Sequence, residues 1–116
     1  METNPASWQK RYGLNVCPAA AIDPAVPPAA PGVAVVYTAA ETGETVHLVI
    51  ESRTGSLRAL CAKRLQSGKL PPAAGLTIAF KAEPLAESTP EAVHAACREQ
   101  VIFAGELRRE LRPAMR

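Results

Sequence analysis

The sequence is poor in aromatic residues, in net charge and in the glycine-rich motifs that bind nucleotides. Aromatic residues make up 4% of the 116 residues, so a core has to be built mainly from Val, Leu and Ile. The formal net charge is only +2, which by itself implies no particular partner. No phosphate-binding loop, dinucleotide motif or Ser/His/Asp pattern is present. These absences argue against a nucleotide-dependent enzyme and against a triad hydrolase.

Cysteine is also scarce, and its spacing does not indicate a metal site. Cys17, Cys61 and Cys97 are far apart, and none belongs to a C-x-x-C pair. An odd number of dispersed cysteines argues against a disulfide framework and against zinc. No apolar run reaches bilayer length, and the N-terminus lacks the apolar segment of a signal peptide. We therefore expect a cytoplasmic protein without a membrane partner.

The length indicates one domain, preceded by an extension. Residues 1–30 are expected to form that N-terminal extension, with a short helix around Ser7–Tyr12. Residues 17–31 are rich in proline and alanine, which predicts a stiff or disordered connector on the surface. Residues 31–116 are expected to form the folded domain.

Two alternating segments and one apolar segment predict strands. Val33–Tyr37 and Thr45–Glu51 alternate between two faces, and the turn Ala40–Glu44 joins them as an antiparallel hairpin. Leu76–Ala82 predicts a third strand. The sequence therefore indicates a three-stranded antiparallel sheet.

Two helices complete the predicted fold. Ser56 is a helix N-cap for about Leu57–Ser67, which Gly68 ends. Ser88-Thr89-Pro90-Glu91 predicts the start of a long helix, Pro90–Leu111. The expected core positions of this helix are Val93, Cys97, Val101, Ala104 and Leu111, with Ile102 on the opposite face. The expected fold class is α+β, with a small sheet flanked by helices in the order β-β-α-β-α.

A run of basic residues covers the first of these helices and its flanks. No acidic residue interrupts it, whereas the segments before and after it are acidic. Such a patch attracts phosphate even in a nearly neutral chain, although a solvated helix face has the same pattern. The candidate nucleic-acid-binding residues are Arg53, Arg58, Lys63, Arg64 and Lys69.

The order of these elements resembles the GIY-YIG nuclease domain over about residues 31–116. Pro31-Gly32-Val33-Ala34-Val35-Val36-Tyr37 is similar to the opening strand of that family, and Leu48-Val49-Ile50-Glu51-Ser52 stands where its second motif falls. The last helix carries Arg98-Glu99-Gln100-Val101-Ile102 and ends in Leu111-Arg112-Pro113, like the glutamate-bearing helix and basic-proline tail of the family. The first signature tyrosine falls on Ala34, and the second falls on Leu48, or on His47 if the strand slips by one residue. The second-motif glycine falls on Ile50, and the terminal asparagine is missing.

The resemblance implies specific roles in metal-dependent cleavage. Glu99 would hold Mg²⁺ or Mn²⁺, which neutralises charge on the phosphodiester. An arginine would steady the phosphate. Arg58 is nearer the family spacing, while Arg64 lies on the predicted apolar stripe of its helix, where a cation calls for an anion partner. His47 could replace a lost tyrosine as general base. Each of these residues also has an ordinary structural interpretation.

Three functions remain open. The first is a degenerate GIY-YIG-like domain that binds DNA or RNA, with cleavage weak or lost. The second is a small protein-interaction domain that uses Ile102, the proline-rich segment or Trp8. The third is an active Mg²⁺-dependent endonuclease. Loss of both signature tyrosines and of the glycine favours the first over the third.

Overall fold

A computed structural model describes residues 8–26, 30–40, 43–52, 56–70, 75–83 and 89–114. The strands are β1 Asn15–Pro18, β2 Gly32–Ala40, β3 Gly43–Ser52 and β4 Thr77–Ala82. The helices are α1 Trp8–Arg11, α2 Ile22–Ala25, α3 Leu57–Leu65 and α4 Pro90–Leu111, with a 3-10 turn over Ala19–Ala21. The strands form one antiparallel sheet in the order β1-β4-β2-β3, which confirms an α+β fold. No helix of the described ranges has the length and apolar character needed to cross a membrane.

The sheet has four strands where three were expected. The additional strand, β1, pairs with β4 so that Asn15 lies opposite Phe80 and Cys17 opposite Ile78. Its four residues carry no alternating pattern of useful length, and its partner lies about 60 residues later. Only the pairing identifies it as a strand.

The proposed surface connector over residues 17–31 is wrong in its described part. From Cys17 of β1 onwards, the described part of this segment contributes a series of side chains to the protein interior instead of lying on the surface. The buried residues are Cys17, Ala19, Ile22, Val26 and Ala30.

The β2–β3 hairpin is longer than expected and contains a bulge. The strands extend to Ala40 and from Gly43, while residues 41 and 42 lie outside the described ranges. Val36 lies opposite Leu48, but the next residue of β2, Tyr37, lies opposite Val46. His47 is therefore the extra residue of a β-bulge, a feature that turns a side chain out of the regular alternation.

Local capping sets the limits of both long helices. The Ser56 hydroxyl accepts a hydrogen bond from the Ala59 amide at 3.1 Å, which confirms the predicted N-cap of α3. The helix ends at Leu65, two residues before the predicted Ser67. α4 has the predicted bounds, and its N-cap is Thr89, whose hydroxyl accepts from the Ala92 amide at 3.2 Å.

The two long helices lie on opposite faces of the sheet. Alternate residues of β2 belong to two separate clusters, since Ala34 and Val36 pack with α3 while Val33, Val35 and Tyr37 pack with α4. We call these the α3 face and the α4 face. The α3 face includes Leu57, Cys61, Ile78 and Phe80, and the α4 face includes Trp8, Val49, Ala104 and Leu107.

The core stripe of α4 differs from the predicted one. Ala104 and Leu107 are fully buried, whereas Val101 is 41% exposed. Val101 and Leu107 lie about 60° to either side of Ala104 on a helix, so docking on the sheet decides which is covered. Ile102 is 58% exposed, as its position on the outer face predicted.

Candidate functional site

Three cations surround the C-terminal end of α3. Lys63 and Arg64 occupy the last turn of the helix, and Lys69 follows in the next turn; all three are exposed. Ser67 folds this turn back, because its hydroxyl donates to the Arg64 carbonyl at 2.7 Å and accepts from the Lys69 amide at 3.3 Å. We call Lys63, Arg64 and Lys69 the α3 basic surface.

The charges of the α3 basic surface are not neutralised locally. Within the described ranges none of its three side chains forms an ion pair, and residues 56–70 contain no acid. The partial negative charge at the C-terminal end of a helix favours cations there, which explains their local placement. Their ammonium and guanidinium groups are therefore available to an anionic partner.

Arg58 extends the sequence pattern but not this surface. Arg58 is half-buried, and its Nε donates to the Val26 carbonyl at 3.0 Å, so this guanidinium also fastens α3 to the segment before β2. Arg53 lies outside the described ranges. Its role in binding stays a prediction.

Arg64 does not occupy the half-buried position that the helical pattern indicated. It is exposed, because Leu57 and Cys61 fill the buried face of α3 and the helix ends one residue after Arg64. Its helix packs on the α3 face, whereas Glu99 belongs to α4 on the other face. The structure therefore does not bring the predicted arginine and the predicted metal ligand together.

Glu99 lines a small cleft between the end of β4 and α4. The cleft has a volume of about 110 Å³. Its lining residues are Lys81, Glu83, Glu99, Gln100 and Phe103. The Lys81 ammonium lies 5.7 Å from the centre of the Phe103 ring. The cleft thus combines two carboxylates, one amide and one cation.

These residues fit poorly to the metal role implied by the resemblance. In the described part of the chain no three His, Cys, Asp or Glu side chains cluster as metal ligands. Glu83 could join Glu99 in holding Mg²⁺ or Mn²⁺, but Lys81 places a positive charge in the same cleft, and like charges repel. Neither Arg64 nor His47 lines this cleft. We therefore derive no cleavage step from it.

His47 makes a local contact within the hairpin. Its Nε2 lies 2.7 Å from Oγ1 of Thr38, and the imidazole is half-buried. This contact fixes the ring at the bulge. The described bond is with Thr38 and not with Arg64 or Glu99, so a role for His47 as general base stays a prediction.

A second constellation, on the α4 face, was not predicted. Glu44 of β3 accepts hydrogen bonds on both carboxylate oxygens, from Trp8 Nε1 and from Gln9 Nε2, each at 2.8 Å. The Trp8 ring meets Tyr37 edge-on, with ring centres 5.1 Å apart. Burial raises the pKa of Tyr37, while a hydrogen bond with Gln9 opposes that rise. Glu44 thus holds the start of α1 on the sheet.

Glu110 of α4 holds the end of the same segment. Arg11 pairs with both oxygens of this carboxylate, and the Tyr12 hydroxyl donates to Oε1 at 2.8 Å. The hydrogen bonds from Arg11 and then Tyr12 lower the pKa of Glu110, and the bond to Glu110 raises the pKa of Tyr12. The Tyr12 ring also meets Phe103 edge-on at 5.7 Å.

The sequence predicts a short helix around Ser7–Tyr12, but it does not indicate what Trp8, Arg11 and Tyr12 pair with. Their carboxylate partners lie about 35 and 99 residues later in the chain. A dense group of donors and aromatics in five residues was the available signal.

Comparison of the chain with protein families, with characterised proteins and with solved structures finds no match.

Proposed function

We propose that the chain is a cytoplasmic nucleic-acid-binding domain, a degenerate relative of GIY-YIG nucleases in which phosphodiester cleavage is weak or lost. The α3 basic surface contacts the phosphates of DNA or RNA. The observation that carries the proposal is the exposure of Lys63, Arg64 and Lys69 without an ion-pair partner in the described ranges.

Phosphate contact is the function that these side chains serve best. Lysine and arginine neutralise backbone phosphates and release counterions, and this term is independent of base sequence. The surface has no described aromatic platform on which bases could stack. We therefore expect modest affinity, little sequence specificity and a strong dependence on salt.

Loss of cleavage is supported by the separation of the family's functional groups. Arg64 and Glu99 belong to helices on opposite faces of the sheet. An arginine that steadies a phosphate has to reach the same phosphodiester as the metal ligand. Binding without efficient cleavage is consistent with this arrangement.

The binding test compares two triple variants of equal charge change. Lys63→Gln/Arg64→Gln/Lys69→Gln removes the α3 basic surface. Lys10→Gln/Arg98→Gln/Arg109→Gln removes three exposed cations from α1 and α4. Fluorescence anisotropy with a labelled 20-nucleotide single strand and the matching duplex gives Kd from 50 to 200 mM salt.

We expect only the first variant to lose affinity. Its slope of log K against log salt should become shallower by about 0.9 for each duplex phosphate contact removed. Equal losses in both variants would indicate a general charge effect and contradict the proposed surface. Absence of binding by the wild-type chain at 50 mM salt would refute the function itself.

Residual cleavage is tested separately. Plasmid nicking is measured with Mg²⁺ and with Mn²⁺ for the wild-type chain and for Glu99→Ala. We expect little or no nicking by either protein. Robust nicking that Glu99→Ala abolishes would favour an active endonuclease, whereas equal nicking by both would indicate contamination or a different site.

A protein-interaction domain is the second candidate, and the outer face of α4 favours it. Ile102 and Val101 are 58% and 41% exposed, and Ile102 lies beside Ala95 in an open groove. Adjacent exposed aliphatic residues mark contact surfaces when they form a patch. Sedimentation of the wild-type chain and of Ile102→Glu tests a second copy as the partner. A dimer that Ile102→Glu dissociates would support this function.

A further inference from the structure

We propose that the surface beneath α1 is a docking groove for a short helical peptide of another protein. The chain itself fills this groove with residues 8–12, which we call the N-terminal strap. The groove is formed by Tyr37 and Glu44 of the hairpin and by Phe103 and Glu110 of α4. The partner is a peptide with the side-chain chemistry of the strap: an indole followed by a side-chain amide, an arginine and a tyrosine.

The polar contacts give this groove its specificity. Each carboxylate accepts hydrogen bonds from two strap side chains, Glu44 from Trp8 and Gln9, and Glu110 from Arg11 and Tyr12. Hydrogen bonds to ionised acceptors are stronger than neutral ones, and an arginine matches a carboxylate through two donors at once. Four donor side chains on two carboxylates define both the register and the direction of the bound segment.

The aromatic contacts supply apolar burial at both ends. Trp8 is 8% exposed and meets Tyr37 at 5.1 Å, while Tyr12 meets Phe103 at 5.7 Å. Buried Trp and Tyr residues dominate the affinity of many protein–protein interfaces. An indole and a phenol that anchor a single helical turn form a compact recognition unit.

Only Trp8 of the strap is buried in the core, whereas Gln9 and Tyr12 are half-buried. α1 has four residues, and so short a helix does not persist without its tertiary contacts. Gly13 follows the strap with φ +67, and a Cβ placed there would meet nothing within 4 Å. Lys10 and Arg11 are exposed. The strap can therefore leave the groove by rotation at Gly13 while β1 stays paired.

The strap competes with a free peptide for the groove, and this competition determines the affinity that a peptide probe should show. A tethered segment acts at an effective concentration of the order of millimolar, so the wild-type chain binds a free peptide weakly. Weakening the strap without altering the groove should then tighten peptide binding. Weakening the groove in that same background should reverse the gain.

The probe is a fluorescein-labelled peptide of residues 7–13, Ser-Trp-Gln-Lys-Arg-Tyr-Gly, and its anisotropy is followed with the full chain. Gln9→Ala/Arg11→Ala weakens the strap through side chains at its surface, so the fold is retained; circular dichroism checks this. Arg11→Ala alone is the milder second variant. To the double variant we add either Glu110→Gln, in the groove, or Glu91→Gln, an exposed control in the first turn of α4.

We expect the strap-weakened chain to bind the peptide at least several-fold more tightly than the wild-type chain. Glu110→Gln should abolish that gain, whereas Glu91→Gln should retain it. Equal binding by the wild-type and strap-weakened chains, equal binding of a scrambled peptide, or equal effects of the two glutamate substitutions would overturn the proposal. If the wild-type chain is a dimer that Arg11→Ala dissociates, the groove binds the strap of a second copy. That result would overturn the proposal that the partner is another protein.

Discussion

Arg108 of α4 pairs with Glu51 of β3 and ties the long helix to the edge of the sheet. Its Nη1 lies 2.7 Å from Oε1 of Glu51, and its Nη2 donates to the Val49 carbonyl at 3.1 Å. Among the described strands β3 pairs with β2 alone, so backbone groups of its other edge need cover. The Ala114 amide adds a second bond, to the Val46 carbonyl at 3.2 Å. The end of α4 and the residues after it thus protect this strand.

Arg108→Ala should destabilise the fold by about 1–2 kcal/mol, because a mostly buried carboxylate and a strand carbonyl lose a charged donor. The Glu51 side chain is only 14% exposed. Urea denaturation measures the free energy of unfolding. Arg109→Ala, the exposed neighbour, is the control and should stay within about 0.5 kcal/mol of wild type. Comparable losses in both variants would contradict a specific role for the Arg108–Glu51 pair.

Gly32→Ala and Gly105→Ala should change stability in opposite directions. A Cβ on Gly32 would lie 2.1 Å from the Lys81 carbonyl oxygen, so β2 and β4 would have to separate, at a cost of about 1–3 kcal/mol. A Cβ on Gly105 meets nothing within 4 Å in α4, and alanine should gain about 0.5–1 kcal/mol there. Thermal unfolding of both variants checks the signs. If Gly32→Ala leaves the stability unchanged, β2 and β4 do not approach each other as closely as the structure shows.

The alkaline limit of stability should depend on Cys61. Burial, and secondarily the proximity of Cys17, raises the pKa of the Cys61 thiol from 9.0 to about 12. The unfolded chain releases this proton first, so the contribution is complete below pH 9 and is lost as pH rises towards 12. Urea midpoints at pH 8, 9.5 and 11 should fall less steeply for Cys61→Ala than for wild type. Cys97→Ala is the control, and an unchanged slope in Cys61→Ala would contradict the assignment.

Acid should release the N-terminal strap through Glu110. The hydrogen bonds from Arg11 and Tyr12 lower the pKa of this carboxyl from 4.5, so its contribution is present above that pH and is lost as pH falls through the lowered value. Trp8 is the sole tryptophan, so its emission reports on the strap. A red shift on acidification below about pH 4.5 is expected. The emission of Glu110→Gln should already be red-shifted at pH 7. A wild-type spectrum from that variant would argue against a role for Glu110 in holding the strap.

Elements set by local signals were predictable from the sequence. α4 has its predicted bounds because a capping hydroxyl at Thr89, a proline at its first position and basic residues in its last turn act within a few residues. The hairpin followed from alternation and a turn. The N-cap at Ser56 was also predictable, because its hydroxyl bonds with the amide of Ala59, only three residues later.

Of the candidate site, the sequence predicted the basic residues of α3 but not a catalytic constellation. The α3 cations and the absence of acids around them depend on local sequence, whereas the exposure of Arg64 depends on where α3 ends and how it packs. The nuclease-like constellation did not form, because α3 and α4 pack on opposite faces of the sheet. No local pattern carries that information.

The sequence by itself determined the α4 helix, the β2–β3 hairpin and the basic end of α3, since each depends on neighbours within one or two turns. Tertiary structure decided that β1 joins the sheet beside β4, that Leu107 and not Val101 is covered, and that Glu44 and Glu110 hold the strap. These outcomes depend on partners distant in the chain. Burial and pairing between such partners follow from the packing of the whole sheet, which periodicity cannot encode.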